Sequence, residues 1–192
     1  MKLLVKASVI CTALFSVTQI YASNQITITG EVIDTTCTLA GADGTDNAYD
    51  DISIPLDTIS ASALAKTGDV TGLKAFKMKL TKGDATTPCD TSAKDKFAGI
   101  TLSSATVESD NVLVNTAADV PATPEDGRVD IQVLTDTDQV VNFTDPSTQA
   151  KSTVTQDDDF PTIQYKAQYI RTGAEAVSQP VKAVMTYVFN YN

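Results

Sequence analysis

The 192 residues contain no histidine and no tryptophan. Without histidine there is no imidazole base for a serine or cysteine nucleophile, and the commonest nitrogen ligand of zinc is missing. Serine and threonine are abundant, yet the chain has no GxSxG turn and no glycine-rich phosphate loop. Carboxylates are plentiful, so composition alone leaves a paired-carboxylate hydrolase open. No carboxylate, however, is expected in an apolar run that would raise its pKa. Asp157, Asp158 and Asp159 stand before Phe160 and Pro161 as a solvated loop would. The stretch DGTDNAYDD, Asp43 to Asp51, offers oxygen ligands but lacks both the EF-hand spacing and its closing glutamate. The expectation is a protein that is not an enzyme and holds neither metal nor cofactor.

The remaining reactive side chains are three cysteines, Cys11, Cys37 and Cys89. Residues 1–22, MKLLVKASVICTALFSVTQIYA, open with Lys2 and Lys6, continue apolar and end at Ala22, which is the pattern of a secretory signal. Cys11 leaves with that segment. An even pair, Cys37 and Cys89, then enters an oxidising compartment and is expected to form a disulfide. Two free thiols at a metal or redox site would need a CxxC spacing or a histidine, and neither is present.

The formal charge is −10, and loss of residues 1–22 removes two lysines and no carboxylate. So acidic a chain has no basic surface for nucleic acid or anionic lipid. Its length suits one domain, and 42% hydrophobic content suffices for a core.

The elements that must carry any function read as short strands. QITITGEVID sets Ile26 and Ile28 on one face; DISIPLDTI does the same with Ile52, Ile54 and Leu56, with Pro55 marking an edge or a strand end. FKMKLTK alternates Phe76, Met78 and Leu80 with lysines. GITLSSATV, NVLVN, VDIQVL, QVVNF, TIQYKAQYI and KAVMTYVFNY follow, separated by turn-forming segments such as AGADGTDNAYDD and DVPATPEDGR. Many short strands and one disulfide predict an all-β sandwich or barrel. Within residues 57–72, Ile59, Ala63 and Leu64 stand at helical spacing and predict a short helical turn.

In the last strand Met185, Tyr187, Phe189 and Tyr191 share one face, opposite Thr186, Val188 and Asn190. Something must cover that apolar face. GEVIDTTC from Gly30 to Cys37, FKMKLTKGDATTPC up to Cys89, RVDIQVLTDTDQVVNF in mid-chain, and the C-terminal third ending in a penultimate Tyr191 resemble, in order and spacing, a pilin of the chaperone–usher (type 1 fimbrial) family. The resemblance spans nearly all of the chain after residue 22.

It implies an incomplete immunoglobulin-like β-sandwich, completed by a donor strand from another subunit. Residues 1–22 are then the signal, 23–29 the donor-strand extension and 30–192 the pilin domain. Asn24, Ile26 and Ile28 form the inserting face. Met185, Tyr187, Phe189 and Tyr191 border the acceptor groove and meet a chaperone, and Cys37–Cys89 is the family's disulfide. The implied partners are a periplasmic chaperone, an outer-membrane usher and neighbouring pilin subunits, with no nucleic acid. The implied destination is a cell-surface fimbrium supporting adhesion, reached through the periplasm. Cleavage after Ala22 leaves seven residues before Gly30; cleavage after Ser16 adds Ile20 and Ala22 to the inserting face. The alternatives are a small outer-membrane β-barrel, which the terminal Asn192 and the low aromatic content oppose, and a secreted glycan-binding sandwich, for which no site is visible.

Overall fold

The computed structural model describes residues 37–192. The expected signal and the segment carrying Asn24, Ile26 and Ile28 lie outside the described residues. Nine strands are described: β1 (Thr38–Gly41), β2 (Val70–Thr81), β3 (Phe97–Ser103), β4 (Val107–Ser109), β5 (Val112–Leu113), β6 (Val129–Thr135), β7 (Val154–Asp157), β8 (Phe160–Arg171) and β9 (Thr186–Tyr191). One short helix, α1 (Thr91–Lys96), joins Cys89 to β3.

The strands form two antiparallel sheets. The larger has the order β1-β2-β8-β6-β5-β4; the smaller is β3-β9. Its centre is the pairing of the two longest strands, β2 and β8, with Phe76 opposite Tyr165 and Met78 opposite Ile163. The other edge of β8 is shared: β6 pairs with Tyr165–Arg171 and β7 takes the remaining end, Phe160–Ile163. Alternation in the sequence becomes burial here. Phe76, Met78 and Leu80 of β2, Ile131 and Val133 of β6, and Ile163 and Tyr165 of β8 face Ile100 and Leu102 of β3 across one core. Gly72 interrupts the β2 ladder at a bulge with φ +70°; a Cβ there would lie 2.8 Å from the Tyr169 ring. The missing side chain at Gly72 leaves room for the Tyr169 ring.

Cys37 and Cys89 are joined, with their Cα atoms 5.9 Å apart. The bond ties the start of β1 to the segment leading into α1. The structure differs from the sequence reading at three places. QVVNF forms no strand and touches the sheet only through a bridge between Val140 and Leu134. The helical turn shrinks to one 3-10 turn, Ala61–Ala63. Residues 52–57 alternate in burial yet pair with no strand among the described residues. Asp130, which the sequence reading did not single out, is fully buried inside β6. Two separate sheets, rather than one closed on itself, also set aside the barrel alternative.

The disulfide closes a loop of 52 residues, for which chain entropy gives about 4 kcal/mol. The double variant Cys37→Ser/Cys89→Ser is expected to lose up to that amount in urea unfolding. An unchanged midpoint would show that β1 is held without the bond.

Candidate functional site

A groove of about 700 Å³ opens on one side of the sandwich. One wall is the extended segment 52–56, which turns Ile52, Ile54 and Leu56 inward and Ser53 and Pro55 outward. The facing wall is the run into β9, where Val181, Ala183, Met185 and Tyr187 turn inward while Lys182, Val184 and Thr186 are exposed. The floor is core: Met78, Leu102, Leu113, Ile131, Val133 and Ala167. A smaller cavity of about 250 Å³ shares Tyr169 and Val181 with the groove and extends it towards Ile59 and Leu64.

Each wall is bonded on its outer side and free on its inner one. In an extended chain the N–H and C=O of one residue point to one edge, and those of the next residue to the other. On the first wall, the Asp46 carboxylate accepts from the Ser53 N–H at 3.1 Å, and the Asp46 N–H donates to the Ser53 carbonyl at 3.0 Å. Lys74 donates to the Pro55 carbonyl, and the Tyr169 hydroxyl to the Asp57 carbonyl at 3.2 Å. On the second wall, Lys182 N–H donates to the Asn115 side-chain oxygen at 3.0 Å, and its carbonyl accepts from Thr116 N–H at 2.7 Å. Ser104 donates to the Val184 carbonyl at 2.8 Å. Among the described residues, no hydrogen bond reaches the backbone of Ile52, Ile54, Leu56, Val181, Ala183 or Met185. Two unpaired strand edges thus face each other across an apolar trough.

Burial, with the Asp57 charge adding to it, raises the Tyr169 pKa, which keeps the phenol a donor. Bonds from the backbone of Ala48 and Ser53 lower the Asp46 pKa. The dimensions suit a small-molecule pocket of roughly 300–1,000 Å³, but such pockets add convergent polar groups that fix a ligand. Here the polar groups on offer are two backbone ladders, which fit a strand.

Of the expected site residues, Met185 and Tyr187 line the groove. Tyr187 also accepts a bond from the Leu39 N–H at 3.4 Å, reaching across to β1. Phe189 and Tyr191 lie past the groove's end, edge-on to Phe97 at 5.9 and 6.3 Å between ring centres. Ile52, Ile54 and Leu56 were legible as a strand face but not as the opposite wall. Val181 and Ala183 continue the odd-numbered face of Met185 and could have been read from that alternation.

The fold agrees with comparison to known proteins. Residues 26–192 match the model of the fimbrial protein family. The chain belongs to that family. It is 29% identical over 169 residues to the F17 fimbrial protein of Escherichia coli, covering 87% of this chain and 86% of that one. Its fold is similar to a chain of a chaperone–usher pilus, with TM-score 0.54, 20% identity and coverage of 91% and 99%. It is likewise similar to the P pilus rod subunit PapA, with TM-score 0.55, 18% identity and coverage of 88% and 100%. This fimbrial protein is a structural subunit of a surface fimbrium rather than an enzyme, and it assembles with other subunits.

Two outcomes are expected from these contacts. Tyr187→Phe keeps the ring but loses the bond to β1, at a cost of about 1 kcal/mol, whereas Phe189→Ala removes a packed ring and costs about 3–5 kcal/mol; denaturant titration separates them. Asp46 titrates below the ordinary aspartate range in the folded protein, so its contribution is complete above that range and is lost as pH falls through the lowered value. The protection of the Ser53 amide, its exchange rate relative to the intrinsic rate at each pH, should therefore fall on acidification in the native chain and show no such fall in Asp46→Asn.

Proposed function

We propose that this fimbrial subunit polymerises by donor-strand exchange, its groove receiving residues 23–29 of a neighbouring subunit with Asn24, Ile26 and Ile28 inward. The observation that carries this reading is the pair of facing, unpaired backbone edges lined by Ile52, Ile54, Leu56, Val181, Ala183 and Met185. A strand laid between them satisfies both ladders at once and covers the apolar floor. At about 3.3 Å per residue, the wall from Ile52 to Ile59 takes a strand of seven or eight residues. Residues 23–29 supply seven, and residues 17–22 add Ile20 and Ala22 on the same face if cleavage follows Ser16.

Before assembly the same groove is filled by a strand of a periplasmic chaperone, which Met185, Tyr187, Phe189 and Tyr191 contact along the C-terminal strand. An outer-membrane usher hosts the exchange, and residues 1–22 direct export. A contact in which one end of a subunit fills the groove of the next does not close on itself, so it yields a filament.

The mature chain alone is expected to aggregate, because an open apolar groove between free strand edges invites pairing. A synthetic peptide of residues 17–29 should restore a soluble monomer. Ile54→Asp, which puts a carboxylate on the groove wall, should weaken peptide uptake at least tenfold. A stable wild-type monomer indifferent to the peptide overturns the reading. Mass spectrometry of surface-sheared fibres should show heat-dissociated multimers whose N-terminus lies at Val17 or at Ser23.

A further inference from the structure

Among the described residues, the wall formed by residues 179–184 belongs to no ladder strand and has nothing beside it on the groove side, yet it keeps a strand's alternation. Its other side leads into a buried polar cluster that the pilin reading does not use. Arg128 and Asp130, two apart in the sequence, lie on one face where β6 begins, opposite Val129 and Ile131. Arg128 donates to Asp130 at 2.8 Å, to the Ala122 carbonyl at 2.5 Å, and to Glu108. Burial pulls the guanidinium pKa down, and the bonds and charges of Asp130 and Glu108 more than offset it, leaving it raised. Asp130, 0% exposed, also accepts from the Asn115 N–H at 2.8 Å.

Asn115 carries this fixed point outward. It is 3% exposed, and its amide uses both ends: the oxygen accepts from Lys182 N–H at 3.0 Å and Ala117 N–H at 3.1 Å. The nitrogen donates to the Pro180 carbonyl at 2.9 Å and to Gln179 at 3.2 Å. Gln179 in turn accepts from Val129 N–H and donates to the carbonyls of Gly127 and Val177. The wall's outer edge is therefore held by a side-chain amide standing where a neighbouring strand would be. A buried ion pair of this kind is weak evidence for stability, since well-packed apolar residues often do as well. What it supplies here is a fixed geometry for one amide.

We propose that Asn115, oriented by the buried Asp130–Arg128 pair and by Gln179, is the positioning residue that holds segment 179–184 as a strand edge before any strand lies beside it. The groove is thereby kept ready for the incoming segment. This rests on the groove being a strand acceptor. Once a strand is inserted, its ladder on the inner edge also holds the wall extended while Asn115 keeps the outer edge, so the effect of losing Asn115 falls on association more than on dissociation.

The test uses the mature chain refolded by dilution below the concentration at which it aggregates, fluorescent peptide 17–29 and hydrogen exchange. Asn115→Ala is expected to slow peptide association at least tenfold, to change dissociation far less, and to speed exchange over residues 179–186 at least tenfold while β2, β6 and β8 keep their protection. Gln179→Met, which leaves Asn115 and the ion pair in place, should show the same pattern at about threefold and decides the matter if Asn115→Ala does not fold. Unchanged association and unchanged exchange overturn the proposal. So does a uniform rise in exchange over all strands with faster dissociation, which would make Asn115 a general stabiliser. If wild type takes up no peptide, the acceptor reading fails, and the local exchange difference alone decides the role of Asn115.

Discussion

A strand satisfies its backbone on two edges, and the behaviour of this subunit follows from which edges its own side chains close. In the larger sheet, β8 is paired on both sides, by β2 along one edge and by β6 and β7 in turn along the other. In the smaller sheet the two edges are treated differently. β3 meets β9 on one side; on the other, the buried Gln149 amide accepts from the Leu102 N–H and donates to the Leu102 carbonyl, both at 2.7 Å. That edge is closed at Leu102 by a side chain acting as a strand. Among the described residues, no partner meets the backbone of Val181, Ala183 and Met185 in the run into β9, which faces Ile52, Ile54 and Leu56.

Polar groups from neighbouring segments, mostly side chains, are what permit this asymmetry. Leaving a buried N–H or C=O unsatisfied costs about 1–3 kcal/mol, so a wall with no strand neighbour would ordinarily collapse onto the core. Asn115, Thr116 and Ser104 satisfy the outer edge of one wall, and Asp46, Lys74 and Tyr169 that of the other. Both walls then stand apart with apolar side chains between them. In the proposed exchange, an incoming strand has to satisfy only the inner edges, and it meets them already extended.

The sequence made the strand faces readable and the partnerships much less so. Period-two alternation marked Phe76, Met78 and Leu80, and Met185 through Tyr191, because burial on one face imposes that pattern directly. The same signal misled at QVVNF, where Val141 and Phe143 are buried by a loop without a ladder. It was silent on whether Ile52–Leu56 had a neighbour, since a wall and a paired strand alternate alike. The cysteine pair was legible by elimination. The polar cluster was not: Arg128, Asp130, Asn115 and Gln179 come from three separate stretches, and nothing in RVDIQVL distinguishes a buried aspartate from one at a sheet edge.

Asp130 also bears on why so acidic a chain keeps a charge inside. Surface carboxylates such as Asp84, whose pKa backbone bonds from Thr86 and Thr87 lower to about 2, organise turns while remaining in solvent. Asp130 instead trades solvent for the Arg128 guanidinium and the Asn115 N–H, with Thr172 at 3.4 Å as a further donor. A hydrophobic residue could fill that space, but it could not fix the direction of the Asn115 backbone. Direction is what a strand edge requires, because a ladder forms only when successive N–H and C=O groups lie in register. The buried charge, on the opposite face of β6 from the groove-floor residue Ile131, thus helps set the register of the wall edge.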